Sequence, residues 1–279
     1  MTCRTFKELL DYGKETLKKV GIREWELDAW YLLEHVSGCT RSSYFLHPEQ
    51  KTTDLQEKQY RELIRKRSSH IPLQYLTGSQ EFMGLPFCVN EHVLIPRQDT
   101  EILVETALSY IQPGMHILDL CTGSGCILLS ILKLKQGVTG TGSDLSKKAL
   151  EVARTNQERL NVQARFCLSD LFTKIEGNYD CILSNPPYIP DAVVNTLMEE
   201  VRDYEPRMAL CGGEDGLKYY KEIIKMSPGF LRPAGMLFLE IGYDQAEAVR
   251  MLMERSFDKI SVVKDLSGHD RVIYGSLMP

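Results

Sequence analysis

Asn185-Pro186-Pro187-Tyr188 brings a carboxamide, two fixed backbone bends and an aromatic ring into four residues. The apolar run Cys181-Ile182-Leu183 before it reads as a buried strand that the proline pair must end. Two prolines remove two backbone donors and fix two φ angles, so the chain leaves the sheet as a stiff corner with unpaired carbonyls. The Asn185 side chain adds one acceptor and two donors, and Tyr188 adds a π face. Such a set suits a planar amide or amino group, whose N–H bonds need acceptors in fixed directions while a ring covers its plane. A proline-terminated strand with an ordinary turn asparagine is an equal reading of these four residues taken alone.

Earlier in the chain, Asp119-Leu120-Cys121-Thr122-Gly123-Ser124-Gly125-Cys126 ends one strand and opens a helix. Gly123 and Gly125 let the backbone turn sharply and a ligand approach it. A dinucleotide loop would need a third glycine where Leu128 stands, which counts against a nicotinamide cofactor. Asp144, at the end of the next strand, is placed to accept both hydroxyls of a ribose. After the third strand, Ser169-Asp170-Leu171 offers a polar group for an adenine's amino edge and an apolar side chain for its face. A nucleoside ligand is the favoured reading; the competing ones are plain glycine turns and, for Asp170, a turn former or helix cap.

The elements that must hold these residues follow from periodicity. Helical spacing predicts helices over Thr5 to Val20, Glu24 to Val36, a short piece near Ser42 to Leu46, and one from Thr53 or Asp54 to Arg67. The basic stretch Arg61, Arg65, Lys66, Arg67 reads as a solvated helix face. Ile71 to Gly78 reads as a link to a hairpin that turns at Gly84, and Asp99-Thr100-Glu101 as a helix N-terminus. From Met115 onward strands and helices alternate, which predicts an α/β, mostly parallel sheet with ligands beyond its carboxyl ends. The last two strands, near Ile260 and Val272, are expected to pair antiparallel at an edge.

A chain of 279 residues suits two domains. Its net charge of -5 argues against a protein dominated by phosphate contacts. The first 80 residues carry a slight basic excess and the remainder is acidic, so the helical part is the one expected to meet an acidic or RNA-bearing partner. Charged residues replace the apolar core a signal peptide needs, and no apolar run reaches membrane-spanning length, so a cytoplasmic location is expected. Eight cysteines (3, 39, 88, 121, 126, 167, 181 and 211) form no C-x-x-C pair and read as reduced, and six scattered histidines suggest no metal site.

D-L-C-T-G-S-G, S-D-L-F and S-N-P-P-Y-I, in that order, resemble the class I S-adenosylmethionine-dependent methyltransferases. P-L-Q-Y-L-T-G (72 to 78), I-P-R-Q-D-T-E (95 to 101), E-P-R-M-A-L-C-G-G-E-D-G-L (205 to 217) and D-L-S-G-H-D-R-V (265 to 272) narrow the resemblance to the peptide chain release factor N5-glutamine methyltransferases, the HemK/PrmC family. The resemblance implies a Rossmann-like seven-stranded sheet behind a small N-terminal helical domain. The expected divisions are a substrate-recognition domain over 1–76, a linker with a β-hairpin over 77–94 and a methyltransferase domain over 95–279. It also implies S-adenosyl-L-methionine as cofactor and the Gly-Gly-Gln glutamine of a release factor as substrate. Neither a membrane nor a stable nucleic-acid partner is expected, and the chain is expected to be a monomer.

Within that frame Asn185, Pro186 and Tyr188 are the expected catalytic residues, with Pro187 completing the substrate contact. Cys121, Thr122, Gly123, Ser124, Gly125, Asp144, Asp170, Leu171 and Asn185 are the expected cofactor contacts. The Asn185 oxygen and the Pro186 carbonyl would accept the two amide N–H bonds while Tyr188 packs over the amide plane. Cys121 stands where the family more usually has glycine, so a φ open to a side chain is expected there; Leu171 stands where some members have an aromatic. Pro96 to Glu101 and Glu205 to Arg207 read as residues shaping the rim, Glu205 and Arg207 equally as a surface ion pair. The rival activity is methylation of adenine N6 or cytosine N4 in nucleic acid, which would need a basic face and room for a flipped base.

Overall fold

The computed structural model describes residues 4–279; Cys3 lies outside the described residues. The chain forms two compact units, one running up to Gly78 and including Glu199–Tyr204, the other made of Ser79–Met198 and Glu205–Pro279.

The first unit begins with α1 (Phe6–Lys19), α2 (Trp25–Ser37), α3 (Arg41–Leu46), α4 (Asp54–Arg67) and α5 (Leu73–Thr77). Thr5 and Glu8 close a capping box on α1, and Thr53 and Gln56 close one on α4, so two sets of orphan N–H groups are satisfied locally. Leu9, Leu17, Trp30, Leu33, Tyr60 and Ile64 bury their side chains in one shared core. Arg67 departs from the solvated face expected of it. It is buried, donates from Nε to Asp28 Oδ2 at 2.7 Å and pairs through NH2 with Glu200 at 2.8 Å. Ile71 to Gly78 is also more than a link: Pro72 sets the entry to α5, and Gly78, at φ 69, ends it in the left-handed region.

The second unit opens with the hairpin β1 (Ser79–Phe82) and β2 (Leu85–Cys88), paired antiparallel. Its two-residue turn has positive φ at Met83 (52) and Gly84 (69), the geometry that matches strand twist. There follow α6 (Gln98–Leu108), β3 (His116–Leu120), α7 (Cys126–Leu134), β4 (Thr139–Asp144), α8 (Lys147–Leu160), β5 (Arg165–Leu168), β6 (Tyr179–Ser184) and α9 (Asp191–Val194). Next in the chain comes α10 (Glu199–Tyr204), which belongs to the helical unit although the sequence placed it within 95–279. The last elements are α11 (Lys218–Met226), β7 (Leu231–Glu240), α12 (Ala246–Met253), β8 (Phe257–Lys264) and β9 (Asp270–Leu277).

Seven strands form one sheet in the order β5-β4-β3-β6-β7-β9-β8, parallel from β5 to β7. β8 and β9 pair antiparallel as their short connection requires, with β9 inserted between β7 and β8. Alternation along the strands sends Ile117, Cys181, Leu183 and Phe238 to one face, under α6 and α7. Leu118, Ile182, Leu237 and Leu239 face the other side, under α11 and α12. The strand order reverses between β3 and β6, which opens a crevice at the carboxyl ends of those two strands.

Candidate active site

Above that crevice lies an open cavity, walled by residues at the carboxyl ends of β3, β4, β5 and β6 and by the approach to α6. Thr122, Gly123 and Ser124 form its floor beside Asp144, with Leu145, Ala149 and Leu171 as apolar wall and Asp170 at the exposed lip. Asn185 and Pro187, which follow β6, also line it.

The glycine loop is held from below. Thr122 donates its hydroxyl to Asp119 Oδ2 at 2.5 Å, and its N–H donates to the Ser143 carbonyl at 2.9 Å. Gly123 N–H donates to Asp144 Oδ2 at 2.9 Å and Ser146 N–H to Asp144 Oδ1 at 2.8 Å. A carboxylate has about four acceptor sites, so Asp144 keeps capacity for further donors at the cavity wall. Gly125, at φ 80, stands behind the wall as the cap residue of α7. Ser169 is buried and donates to the Leu171 carbonyl at 2.8 Å, so it shapes the loop that presents Leu171.

Cys121 also lines the cavity, but at φ 57. The expectation of a φ open to a side chain is corrected: this is the left-handed region, where a Cβ crowds the neighbouring carbonyl. That conformation costs about 1–2 kcal/mol for a residue with a side chain. Cys121→Gly is therefore expected to raise stability by about 1 kcal/mol, read from the midpoint of chemical denaturation, and Cys121→Val to lower it. A glycine variant no more stable than the parent would mean that the loop relieves the crowding elsewhere.

Asn185 Nδ2 donates to Thr100 Oγ1 at 3.2 Å. Among the described residues Asn185 Oδ1 has no hydrogen-bond partner, so a half-buried acceptor remains on a residue that lines the cavity. The Pro186 carbonyl accepts no hydrogen bond from the described residues, although Pro186 itself is buried and outside the cavity lining. Tyr188 lies elsewhere than over an amide in the cavity. Its hydroxyl donates to Glu240 Oε1 at 3.2 Å, its carbonyl accepts from Gln245 Nε2 at 3.0 Å, and its ring is absent from the cavity walls.

Two features hold the proline corner in place. Ile189 N–H donates to the Leu210 carbonyl at 3.0 Å and Gly212 N–H to the Ile189 carbonyl at 2.8 Å. A Cβ at Gly212 would come within 2.7 Å of the Tyr188 Cα, so only glycine lets the 205–217 stretch lie this close. Glu205 and Arg207 do not form a surface pair. Glu205 is buried and pairs with Arg97, and its Oε2 also accepts from Ile95 N–H at 3.3 Å, whereas Arg207 donates to Asn195 at 3.2 Å. The glutamate thus ties I-P-R-Q-D-T-E to E-P-R-M.

Two buried carboxyls lie beneath the site. Burial pushes Asp119 and Glu240 each up to about 7, against the hydrogen bonds and the Arg271 charge that favour ionisation. An acid whose native pKa exceeds its unfolded value binds more protons in the folded state, so stability is present below the unfolded value and falls as pH rises towards the native one. These two groups are expected to weaken the fold between pH 3.8 or 4.5 and about 7. The double variant Asp119→Asn, Glu240→Gln should lose less stability than the parent over that interval in denaturation measured at stepped pH. An unchanged slope would remove both carboxyls from the account.

Strand order, the glycine loop on α7, the acid after β4 and N-P-P-Y after β6 define a class I methyltransferase. Residues 8–78 match the PrmC N-terminal domain and residues 98–202 the methyltransferase small domain. A release factor glutamine methyltransferase of Geobacter sulfurreducens is 36% identical over 275 residues, covering 98% of this chain and 97% of that protein. One of Clostridium acetobutylicum is 40% identical over 275 residues, covering 96% of each. A methyltransferase structure from Pyrococcus furiosus, 17% identical with a TM-score of 0.52, covers 69% of this chain and 89% of its own and shares the fold. The chain belongs to the release factor glutamine methyltransferase family. Among the described residues no helix is long and apolar enough to cross a membrane.

Proposed function

We propose that the protein transfers a methyl group from S-adenosyl-L-methionine to the side-chain amide nitrogen, N5, of the Gly-Gly-Gln glutamine in peptide chain release factors. The observation that carries this reading is identity of 36% and 40% over nearly the whole chain to relatives named release factor glutamine methyltransferase. The site supports it because Asn185, whose side-chain oxygen is open, and Asp144 line the same cavity.

Bound, the cofactor supplies a methyl group made electrophilic by its sulfonium, so the chain's task is alignment and charge stabilisation. Asp144 holds the ribose hydroxyls, Cys121 to Gly125 bring backbone close to the cofactor, and Asp170 and Leu171 receive the adenine edge and face. Asn185 Oδ1 and the Pro186 carbonyl accept the two N–H bonds of the glutamine amide. Positive charge developing on that nitrogen meets acceptors already in place, the favourable electrostatic arrangement of a preorganised site. Pro187 and Tyr188 keep the corner rigid; after transfer, which leaves S-adenosyl-L-homocysteine, the nitrogen gives its proton to water. The helical unit serves as the substrate-recognition part, and the enzyme acts in the cytoplasm as a monomer without a stable nucleic-acid partner.

Incubation with labelled S-adenosyl-L-methionine and a purified release factor, with duplex DNA in parallel, tests the reading. Label on glutamine N5, located by mass spectrometry, is the expected result. Label on DNA alone would replace the proposal with the nucleic-acid activity.

A further inference from the structure

Behind Asn185, three elements bring together two buried hydrogen-bonded pairs, of which Thr100 and Glu240 take no part in the scheme above. Thr100 comes from the first turn of α6 and is 2% exposed; Glu240 ends β7 and is also 2% exposed. Tyr188 follows β6. Thr100 Oγ1 accepts from Asn185 Nδ2, and Glu240 Oε1 accepts from the Tyr188 hydroxyl. Among the described residues the buried Glu240 Oε2 has no hydrogen-bond partner of ordinary geometry, and the Thr100 hydroxyl is the neighbour that most favours its ionised form.

We infer that Thr100 and Glu240 are positioning residues for the transfer: Thr100 fixes which end of the Asn185 carboxamide meets the substrate, and the ionised Glu240 carboxylate holds Thr100 in that role. The inference rests on the proposed amide methylation. A hydroxyl has one proton and two lone pairs. With a lone pair accepting from Nδ2, the Thr100 proton turns to another acceptor, and an ionised carboxylate can only accept. With the proton turned towards Asn185 instead, Thr100 would bind Oδ1 and leave Nδ2 at the cavity edge. The amide N–H of a substrate would then meet a donor.

Protonation gives Glu240 a donor that competes with Asn185 Nδ2 for the Thr100 oxygen and removes the charge that draws the Thr100 proton, so acidification disarms the site. Tyr188 after β6 bonds Glu240, and its electrostatic neighbours are Thr100 and Asp99 on α6, Arg271 on β9 and Cys126 on α7. From α11, the Tyr220 hydroxyl donates to the Glu240 carbonyl at 2.9 Å. Burial pushes Tyr188, Tyr220 and Cys126 upward, away from neutrality, and Arg271 is raised further into its charged range.

The test is methylation of a purified release factor at stepped pH, with cofactor affinity measured by calorimetry. Wild-type kcat is expected to rise through about pH 7. Glu240→Gln should lower kcat about tenfold and flatten the profile, with cofactor Kd unchanged. Thr100→Val should lower kcat about tenfold, and Thr100→Ser should restore most of it. A Glu240→Gln profile parallel to the wild type, or Thr100→Val at wild-type turnover, overturns the inference. In parallel, NMR of the Asn185 side-chain amide needs no substrate: its signals should titrate in the wild type and stay fixed in Glu240→Gln. Signals that do not move in the wild type also overturn it. A wild-type enzyme that leaves release factors unmethylated sinks the functional reading, and the NMR titration still decides the role of Glu240.

Discussion

Asn185→Ala is expected to lower kcat about a thousandfold while cofactor affinity stays within about twofold of the parent. Deleting the carboxamide removes Oδ1, the open acceptor at the cavity edge, and its replacement methyl group can neither accept an N–H nor meet charge developing on nitrogen. The loss falls on turnover because that charge exists only along the reaction. Asn185 is also only half-buried, and among the described residues its side chain makes one hydrogen bond, to Thr100, so its removal leaves the sheet and the glycine loop in place. Single-turnover kinetics beside calorimetric titration of the cofactor separates the two quantities. Parallel loss of both would assign Asn185 to building the pocket rather than to the transfer. Asn185→Asp should not rescue the rate, because a carboxylate cannot donate to Thr100 as Nδ2 does.

Asp144→Ala is expected to weaken S-adenosyl-L-methionine binding about a hundredfold, with turnover at saturating cofactor reduced far less. Two ribose hydroxyls lose a charged acceptor, each bond being worth about 1.5–3 kcal/mol, offset in part by water entering the gap. The same carboxylate also accepts from Gly123 and Ser146 N–H, so the variant loosens the loop as well as the ligand. Asp144→Asn separates the two roles: its one carbonyl oxygen can serve either the loop or a hydroxyl but not the full set. An intermediate Kd for Asn supports the division, and a Kd unchanged in both variants would move the ribose elsewhere.

The alternation of strands and helices was legible because each buried strand is a short apolar run and each helix repeats its apolar positions. N-P-P-Y and the glycine loop were legible for a related reason: proline and glycine restrict the backbone wherever they occur. Thr100 was not, since in D-T-E it looks like part of a helix start, and its partner Asn185 is 85 residues away. Arg67 looked like one more charge on a solvated face until Asp28, 39 residues earlier, met it in the core. Glu240 ended an apolar strand with nothing local to show that Tyr188 would bind it. Tyr188 itself was read for its ring, whereas its hydroxyl and carbonyl anchor it behind the cavity. Local pattern states what a residue can do, and the fold decides which partner it meets.

The membership of α10 in the helical unit has a practical result for anyone cutting this gene. Because the polypeptide passes between units three times, at 78/79, 198/199 and 204/205, a truncation starting at Ser79 does not yield a clean catalytic fragment. It would keep Glu199–Tyr204 as an insert stripped of its companions, with Glu200 deprived of the Arg67 guanidinium and Tyr204 of the Ser69 carbonyl. A separable catalytic piece calls for two edits, the amino-terminal deletion and a short bridge replacing 199–204.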